Sequence, residues 1–204
     1  HGILFNHEGT KRGEEFVTRK ITKNVARIKK QLSDPELNIA PMELGNLDAK
    51  RDWSDSEDFV RGVWLMLNQE DSERRDEFNK AFEQLWENYK NHGVALGGSD
   101  IEGIARESAI PLIKDYILSS GETHSIREFV EKAFSYAEIS GEWEGEGLEE
   151  EFVTKVKRKK ITLVKINPKF FRPAEVELLL GDCTPIKKEL GWQPKISFDK
   201  LVQR

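Results

Sequence analysis

The residues best suited to chemistry form two polar groups with the composition of an anion site. One is NHEGTKRG at residues 6–13, which follows an apolar run and leads into a helix. Polar donors and an arginine at a helix N-terminus suit an anionic group. The other group consists of arginines beside aromatic residues, in KRDW at residues 50–53 and in FFRP at residues 170–173. Because the arginine fork matches diphosphate oxygens, both groups favour a phosphate-bearing ligand, and surface salt bridges are the alternative.

The familiar signatures of catalysis are absent from these 204 residues. No G-x-G-x-x-G motif follows a strand, and the glycines at positions 141, 145 and 147 lie among glutamates that would repel a pyrophosphate. No Cys/His set has zinc spacing, and neither a G-x-S-x-G elbow nor a P-loop occurs. None of the three tyrosines has a lysine four residues later. The residues by themselves therefore identify no catalytic centre.

The net charge of the chain restricts the kinds of molecule that it can bind. Charged residues make up 34% of the chain and the net charge is −5, which argues against a general nucleic-acid binder. The basic run at residues 155–160 follows the acidic segment at residues 141–151. This order predicts two neighbouring solvated segments that face each other as strands or in a loop. We therefore expect no nucleic-acid partner.

The sequence also bears on the compartment. The longest apolar run, VWLML at residues 63–67, is too short to span a bilayer, and no positively charged leader precedes an apolar stretch at the N-terminus. The single cysteine, Cys183, cannot form a disulfide within one chain and suits a reducing compartment. A small buried thiol is a better interpretation of Cys183 than a nucleophile, because no histidine partner can be assigned. We expect a cytoplasmic protein with no membrane partner.

Strands alternate with helices along the sequence, which predicts an α/β fold. The opening GILF at residues 2–5 is continuously apolar, like a strand buried on both faces of a parallel sheet, and polar residues 6–8 would emerge where it ends. A loop is predicted at residues 47–53. Further strands are predicted at residues 40–46, 115–120 and 161–166.

The sequence also predicts where the helices begin and which face of the first helix is apolar. A first helix is predicted from one apolar stripe, whose residues are Val17, Ile21, Val25, Ile28 and Leu32. Asp34-Pro35 is predicted to end this helix. Each later helix has a start signal: Ser54 or Asp55 as a cap, a capping box of Ser125 with Glu128, Thr184-Pro185, and Ser197.

An inserted segment at about residues 71–110 has its own helical periodicity. Its apolar residues recur at helical spacing at Phe78, Phe82, Leu85, Trp86 and Tyr89, and glycines at positions 93, 97 and 98 break the pattern. A helical hairpin is predicted. Such a stripe most often packs as a surface decoration, and a partner-binding accessory is the alternative.

Five segments carry a resemblance to a known family. They are GILFNHE with KRGEEFVTRKIT, LGNLDAKRDW, GETHSIREFVEKAF, FFRPAEVELLLGD, and ELGWQPKISFDKLV. In this order they resemble the carboxyl-terminal half of the GDP-mannose 4,6-dehydratases, which are extended short-chain dehydrogenase/reductases. The resemblance implies the carboxyl-terminal part of a Rossmann-type α/β fold with an inserted helical hairpin. It divides the chain into the end of the nucleotide-binding core with the start of the substrate-binding region, a helical insertion, and a substrate-binding domain, at residues 1–69, 70–112 and 113–204.

The resemblance also implies roles for individual residues. His7 and Arg12 match positions that contact the NADP cofactor. The positions that match contacts with the GDP-sugar are Asn6, Val17, Lys20, Arg51, Arg172 and Glu175. The sequence departs from the family pattern in two places: residues 9–11 read Gly-Thr-Lys where the family has Ser-Pro-Arg, and Ser54 replaces a usual glycine.

The activity that the resemblance implies is dehydration of GDP-mannose to GDP-4-keto-6-deoxymannose with bound NADP. In the family the glycine-rich dinucleotide loop, the catalytic Thr or Ser with its Glu, and the Tyr-x-x-x-Lys pair all precede the strand with which this sequence starts. The chain is therefore expected to act with a missing amino-terminal half, to be inactive alone, and to form a homo-oligomer. Two alternatives stay open: a dehydratase or epimerase acting on another GDP-manno sugar such as GDP-manno-heptose, and a non-catalytic binding module.

Overall fold

A computed structural model describes residues 1–34, 38–68, 115–171 and 178–204. The helices are α1 (Val17–Leu32), α2 (Ser56–Leu67), α3 (Ile126–Tyr136), α4 (Thr184–Leu190) and α5 (Phe198–Gln203). The strands are β1 (Gly2–Leu4), β2 (Asn6–Glu8), β3 (Met42–Leu44), β4 (Lys50–Arg51), β5 (Trp53–Asp55), β6 (Tyr116–Leu118), β7 (His124–Ser125), β8 (Glu142–Glu144), β9 (Glu151–Val156), β10 (Lys159–Ile166) and β11 (Leu178–Leu179). The predicted insertion at residues 70–112, and the predicted site residues Arg172 and Glu175, lie outside the described ranges.

Within the described ranges the strands form four small sheets. Two of them are parallel pairs, β1 with β6 and β2 with β5. The largest has the order β3-β10-β9-β8, in which β3 and β10 are parallel and the other pairs antiparallel. The fourth has the order β11-β4-β7. Parallel and antiparallel pairs with intervening helices confirm the predicted α/β class.

The larger hydrophobic core lies between α1, α3, α5 and the four-stranded sheet. The predicted stripe of α1 supplies Ile21, Val25 and Ile28, all buried, with Val17 and Leu32 packed against them. From α3 come Phe129, Val130 and Phe134, and from the sheet Met42, Leu44, Phe152 and Val164. Helical periodicity therefore predicted the buried face of α1 correctly.

A second, smaller core holds α2 and α4 against β6. It consists of Phe59, Tyr116, Leu118, Ile186 and Trp192. The Trp192 indole donates a hydrogen bond to the main-chain oxygen of Asp58, 2.9 Å away. Gly62 permits this packing, because a Cβ there would lie 2.3 Å from Leu118 Cδ2.

The prediction that the first strand is buried on both faces is wrong. All three residues of β1 are exposed, with Ile3 and Leu4 at 50% and 42% of their full accessible surface. Among the described residues β1 pairs only with β6, so its other edge has no strand partner there, and contact with the Met66 side chain at Gly2 still leaves Ile3 and Leu4 about half exposed. An apolar run indicates that a strand suits burial, but it does not show which other residues of the fold would cover that strand.

Two segments predicted as non-strand polar stretches are short strands. Residues 6–8 continue as β2, which runs parallel to β5 with Asn6 opposite Trp53 and Glu8 opposite Asp55. The predicted loop at residues 47–53 contains β4 and the first residue of β5. Neither segment has a local signal, because each becomes a strand through pairing with residues far away in sequence.

The helix starts follow the sequence signals closely. Asp55 caps α2 by accepting from the N–H of Glu57 at 2.8 Å, and Ser197 caps α5. Ser125 accepts from the N–H of Glu128 at 3.1 Å, as predicted, but the Glu128 carboxylate contacts the His124 ring and does not complete a capping box. Cys183, and not Thr184, is the N-cap of α4.

The predicted opposition of acidic and basic segments is confirmed. The acidic strand β8 pairs with β9, and Lys155 and Lys160 reach back to Glu142 and Glu144 at 3.1 and 2.7 Å. These exposed pairs contribute little to stability. Within the described ranges, no helix has the length and apolarity needed to cross a bilayer.

Candidate functional site

The crossing from β1 to β2 places polar residues at the carboxyl end of a parallel strand pair. Phe5 lies between the strands, and its N–H still bonds the carbonyl of Leu118 at 3.0 Å before the chain turns to β5. A cavity of about 430 Å³ opens at this point. Its lining residues are Ile3, Leu4, Phe5, Asn6, His7, Arg12 and Leu179. The carboxyl ends of parallel strands are where open α/β folds bind their ligands.

Asp52 holds the ends of three segments together beside this cavity. Its fully buried carboxylate accepts hydrogen bonds from Ser120 N–H and Oγ at 2.7 and 2.6 Å. It also accepts from the N–H groups of Gly121 and Gly181 at 3.0 and 3.3 Å. Gly181 admits this junction, since a Cβ there would lie 2.5 Å from Ser119 Cβ and 3.0 Å from Phe5. Asp52 therefore sets the spacing of the segments that surround the site.

His7 is held in one orientation. Its Nδ1 lies 2.9 Å from the carbonyl oxygen of Phe5, and its ring packs at a tilt on Phe59 with 5.0 Å between centroids. Because a carbonyl oxygen only accepts, Nδ1 carries the proton in this contact. Nε2 of the neutral ring is then an acceptor for a hydroxyl or amide donor of a ligand.

Arg12 is fixed on two sides. Its Nε lies 3.1 Å from Glu8 Oε2, and its guanidinium carbon lies 3.5 Å above the Phe16 ring centroid. The Nε–H makes no hydrogen bond within the described part of the chain, so the contact with Glu8 is an ion pair without hydrogen-bond geometry. Thr18 Oγ1 donates to the same Glu8 oxygen at 2.7 Å. The result is a connected set, Thr18–Glu8–Arg12–Phe16, of which Arg12 lines the cavity.

The Glu8 carboxyl has an altered acidity. Burial raises its pKa above the ordinary value, and the main opposing influences are the Thr18 hydrogen bond and then the charge of Arg12. Only 5% of the residue is exposed, so the carboxylate form depends on these neighbours.

A second cavity of about 490 Å³ adjoins the first through His7 and Arg12. The remaining lining residues are Gly9, Thr10, Lys11, Asp55, Ser56, Glu57 and Arg204. Arg204 donates to the buried Asp55 carboxylate at 2.6 Å and to Glu57 at 3.2 Å. Arg204 is therefore paired with two carboxylates in this wall, and Arg12 is paired with Glu8.

Lys20 and Phe170 form a separate cationic surface. The Lys20 ammonium lies 3.7 Å from the centroid of the Phe170 ring. Burial lowers the Lys20 pKa, and the charge of Glu43 opposes this. Gly45 permits the approach of residue 170, because a Cβ there would lie 2.3 Å from the Phe170 carbonyl oxygen. The sequence predicted aromatic neighbours for Arg51 and Arg172 and none for Lys20, so this cation–π contact is known only from the structure.

The predicted site residues are brought together in part. Asn6, His7 and Arg12 line one cavity. Arg51 lies on β4 between β11 and β7, opposite Leu179, whose side chain lines the same cavity. Val17 belongs to α1, like Lys20, and its side chain packs against the larger core. Its predicted contact with the ligand stays a prediction.

Sequence reasoning missed the residues that support the site. Asp52 and Thr18 act through partners distant in sequence, and no local pattern identifies them. For Glu8 the sequence did contain a signal of an ion pair, since Glu8 precedes Arg12 by four residues in the same motif. That spacing suggests an ion pair only when the backbone brings the two side chains to one face.

The sequence model described as GDP-mannose 4,6 dehydratase matches residues 1–93 and 101–204. The chain belongs to this family. Curated members of the GDP-mannose 4,6 dehydratase family include proteins of Drosophila melanogaster and Homo sapiens, 40% and 36% identical over 202 and 203 residues. The match covers 99% and 100% of this chain but 39% and 41% of those relatives. The chain thus spans about two fifths of the length of the curated relatives it matches.

Solved structures place the fold among the Rossmann-type extended short-chain dehydrogenase/reductases. The structure of RMD from Pseudomonas aeruginosa complexed with NADPH aligns with a TM-score of 0.59 and 18% identity, over 99% of this chain and 45% of that one. The dTDP-glucose 4,6-dehydratase of Bacillus anthracis in complex with NAD gives 0.55 and 12%, over 99% and 41%. At these identities the likeness establishes the fold of this family member.

Proposed function

We propose that the chain is the carboxyl-terminal part of a dehydratase that converts GDP-mannose to GDP-4-keto-6-deoxymannose with bound NADP. One observation carries the proposal. In a chain of the GDP-mannose 4,6 dehydratase family, the two residues that match cofactor contacts, His7 and Arg12, line one cavity at the carboxyl end of the β1–β6 pair. On this proposal, Asn6 in the same cavity faces the sugar nucleotide.

The residues present fit a phosphate-bearing dinucleotide. Arg12 supplies a fixed positive charge for an anionic oxygen, and His7 supplies an oriented acceptor through Nε2. The cavity wall at Ile3, Leu4 and Phe5 is apolar and suits an aromatic ring. NADP, when bound, supplies hydride acceptance and return. The part of this chain is to bind and orient it.

The GDP-sugar is proposed to contact a second set of residues. Lys20 and Arg51 offer the positive charge that a diphosphate needs, and Arg172 and Glu175 are proposed to contact the diphosphate and the ribose hydroxyls. Lys20 is held against the Phe170 ring, which limits its freedom before the ligand arrives. Binding of the nucleotide part of the substrate is thus assigned to α1, β4 and the segment after Phe171.

We also propose that the chain acts together with an amino-terminal part. The exposed strand β1 and α2 adjoin each other, because Gly2 lies against the Met66 side chain. Beside this strand, α2 exposes an apolar stripe of Val60, Trp64 and Leu67, at 69%, 64% and 78%. A continuous apolar surface of this kind needs a covering partner. The share of the curated relatives that lies beyond this match is long enough to supply one.

A homo-oligomer and a cytoplasmic location complete the proposal. Both follow from the family resemblance, and the single half-buried Cys183 is compatible with a reducing compartment.

The test of the proposed function is turnover by the protein expressed from its complete coding sequence. Incubation with GDP-mannose and NADP should give a product lighter by one water in mass spectrometry. The 204-residue chain alone should give none, because it supplies binding residues and no identified catalytic centre. A panel of other GDP-manno sugars decides the substrate. Absence of turnover on every member of the panel would refute the dehydratase assignment.

A further inference from the structure

Glu8 lies where an ionised carboxylate is hard to maintain. It is almost fully buried on β2 and lines a small pocket of about 90 Å³, which shares Gly9, Thr10 and Arg12 with the second cavity. A charged group in such a place is retained only when partners hold it. Its two side-chain partners, Thr18 and Arg12, belong to the same segment that leads from β2 into α1.

We propose that Glu8 is a positioning residue for Arg12, which it holds ready for an anionic group of the cofactor. This inference rests on the proposed function, in which Arg12 contacts NADP. It assigns to Glu8 a role that acts through Arg12 and not through direct contact with the cofactor.

The geometry supports positioning in three ways. Pairing of β2 with β5 fixes the Glu8 backbone opposite Asp55, and the Thr18 hydroxyl fixes the carboxylate. The carboxylate then attracts Nε of Arg12 as an ion pair at 3.1 Å, without a hydrogen bond, while Phe16 covers one face of the guanidinium. An arginine held in this way loses less side-chain freedom when the ligand binds, so more of the interaction appears as affinity.

The position of the carboxylate also preserves the arginine's capacity to bind a ligand. Within the described ranges, Glu8 is the only carboxylate at ion-pair distance from Arg12, and it lies at Nε. Guanidinium has five N–H donors, so the N–H groups of both terminal nitrogens are not taken up by Glu8. A carboxylate placed at those nitrogens would compete with the ligand, whereas one at Nε orients them.

The experiment is a double-mutant cycle on NADP⁺ binding, measured by calorimetry with the protein expressed from its complete coding sequence. The variants are Glu8→Gln, Arg12→Ala and the double variant. Glu8→Gln keeps the shape and the acceptor for Thr18 but loses the charge, and it should raise the Kd for NADP⁺ about tenfold, the range of one charge-assisted contact. In the Arg12→Ala background the same change should have no further effect, since coupled residues are not additive. Glu14→Gln is the matched control, because Glu14 pairs with Lys23 on the surface and should leave the Kd unchanged.

Two further measurements separate positioning from a general structural role. In turnover, Glu8→Gln should raise the half-saturating NADP⁺ concentration while kcat at saturating NADP⁺ is retained. GDP affinity should not change. Thr18→Val, which removes the hydroxyl at nearly constant size, should raise the NADP⁺ Kd by a smaller factor, and Thr18→Ser should not. This pair keeps the test available if Glu8→Gln does not fold.

The outcomes distinguish the two levels of inference. If Arg12→Ala binds NADP⁺ normally, the cofactor assignment in the proposed function fails. If Arg12→Ala binds weakly but Glu8→Gln and Thr18→Val bind normally, the assignment survives and positioning by Glu8 is refuted. An equal effect of Glu8→Gln in both backgrounds also refutes it, because Glu8 would then act without Arg12.

Discussion

Replacing Asp52 with asparagine should destabilise the fold more than any surface change of the same chemistry. One carboxylate oxygen accepts from Ser120 N–H and Oγ, and the other accepts from Gly121 and Gly181 N–H. An asparagine keeps one oxygen and replaces the other with an NH₂ group, which cannot accept a hydrogen bond from an N–H donor.

The expected loss of stability follows from the orientation of the asparagine amide that leaves fewer hydrogen bonds unmade. With the amide nitrogen toward Ser120, the serine hydroxyl can accept from it and keep its contact with the Glu122 carbonyl at 3.0 Å. Only the Ser120 N–H is then left without an acceptor in a buried site, which costs about 1–3 kcal/mol. The two glycine N–H groups also lose a charged acceptor for a neutral one. We expect the free energy of unfolding to fall by about 2–4 kcal/mol for Asp52→Asn.

Urea unfolding followed by tryptophan fluorescence measures this loss, since Trp53 is buried next to Asp52. Asp199→Asn is the control: it removes a surface ion pair with Lys132 and should change stability by less than about 1 kcal/mol. If Asp52→Asn shifts the unfolding free energy no more than this control does, the account of Asp52 as the junction of three segments is wrong.

Three other changes test separate parts of the structure. Gly45→Ala should destabilise the fold by about 1–3 kcal/mol and weaken GDP-sugar binding, because its Cβ would displace the Phe170 carbonyl; urea unfolding and calorimetry measure the two effects, and normal values for both would contradict the contact. Glu8→Gln should flatten the dependence of stability on pH at pH values above 4.5, the ordinary pKa of a glutamate. Burial raises the Glu8 pKa above 4.5, so the native state binds this proton more tightly than the unfolded state and loses stability as pH rises from that value; an unchanged slope in the variant would show that Glu8 is not its source. Arg51→Ala and Arg172→Ala should each weaken GDP-mannose binding to the complete protein by about 1.5–3 kcal/mol while the Tm barely moves, and normal affinity or unfolding in both would remove them from the site.

The parts of the fold that the sequence predicted are those with a local cause. The stripe from Val17 to Leu32 requires one buried helical face, and Asp55 and Ser197 cap helices through N–H groups only two or three residues away. Strand β2 could not be predicted in this way, because Asn6 becomes a strand residue by lying opposite Trp53. The burial of β1 was misjudged because composition does not reveal whether a covering surface exists.

The candidate site also contains residues that the sequence identified and residues that only the structure reveals. The resemblance identified His7 and Arg12, and the structure places both in one cavity. Their supports came only from three-dimensional placement: Phe5 offers a main-chain carbonyl to His7, and Thr18 reaches Glu8 from the first turn of α1. The motif identifies the residues proposed to contact the ligand, whereas the groups that hold them depend on how distant parts of the backbone come together.

The open edge of β1 has a consequence for the chain when it is made in isolation. An exposed edge strand with apolar side chains at Ile3 and Leu4 is a template on which a second copy can add its own strand. We expect the isolated chain to self-associate as its concentration rises, and the complete polypeptide to stay dispersed. Solubility during synthesis would then depend on how soon the covering segment is available, which makes the order of translation part of how this fold avoids aggregation.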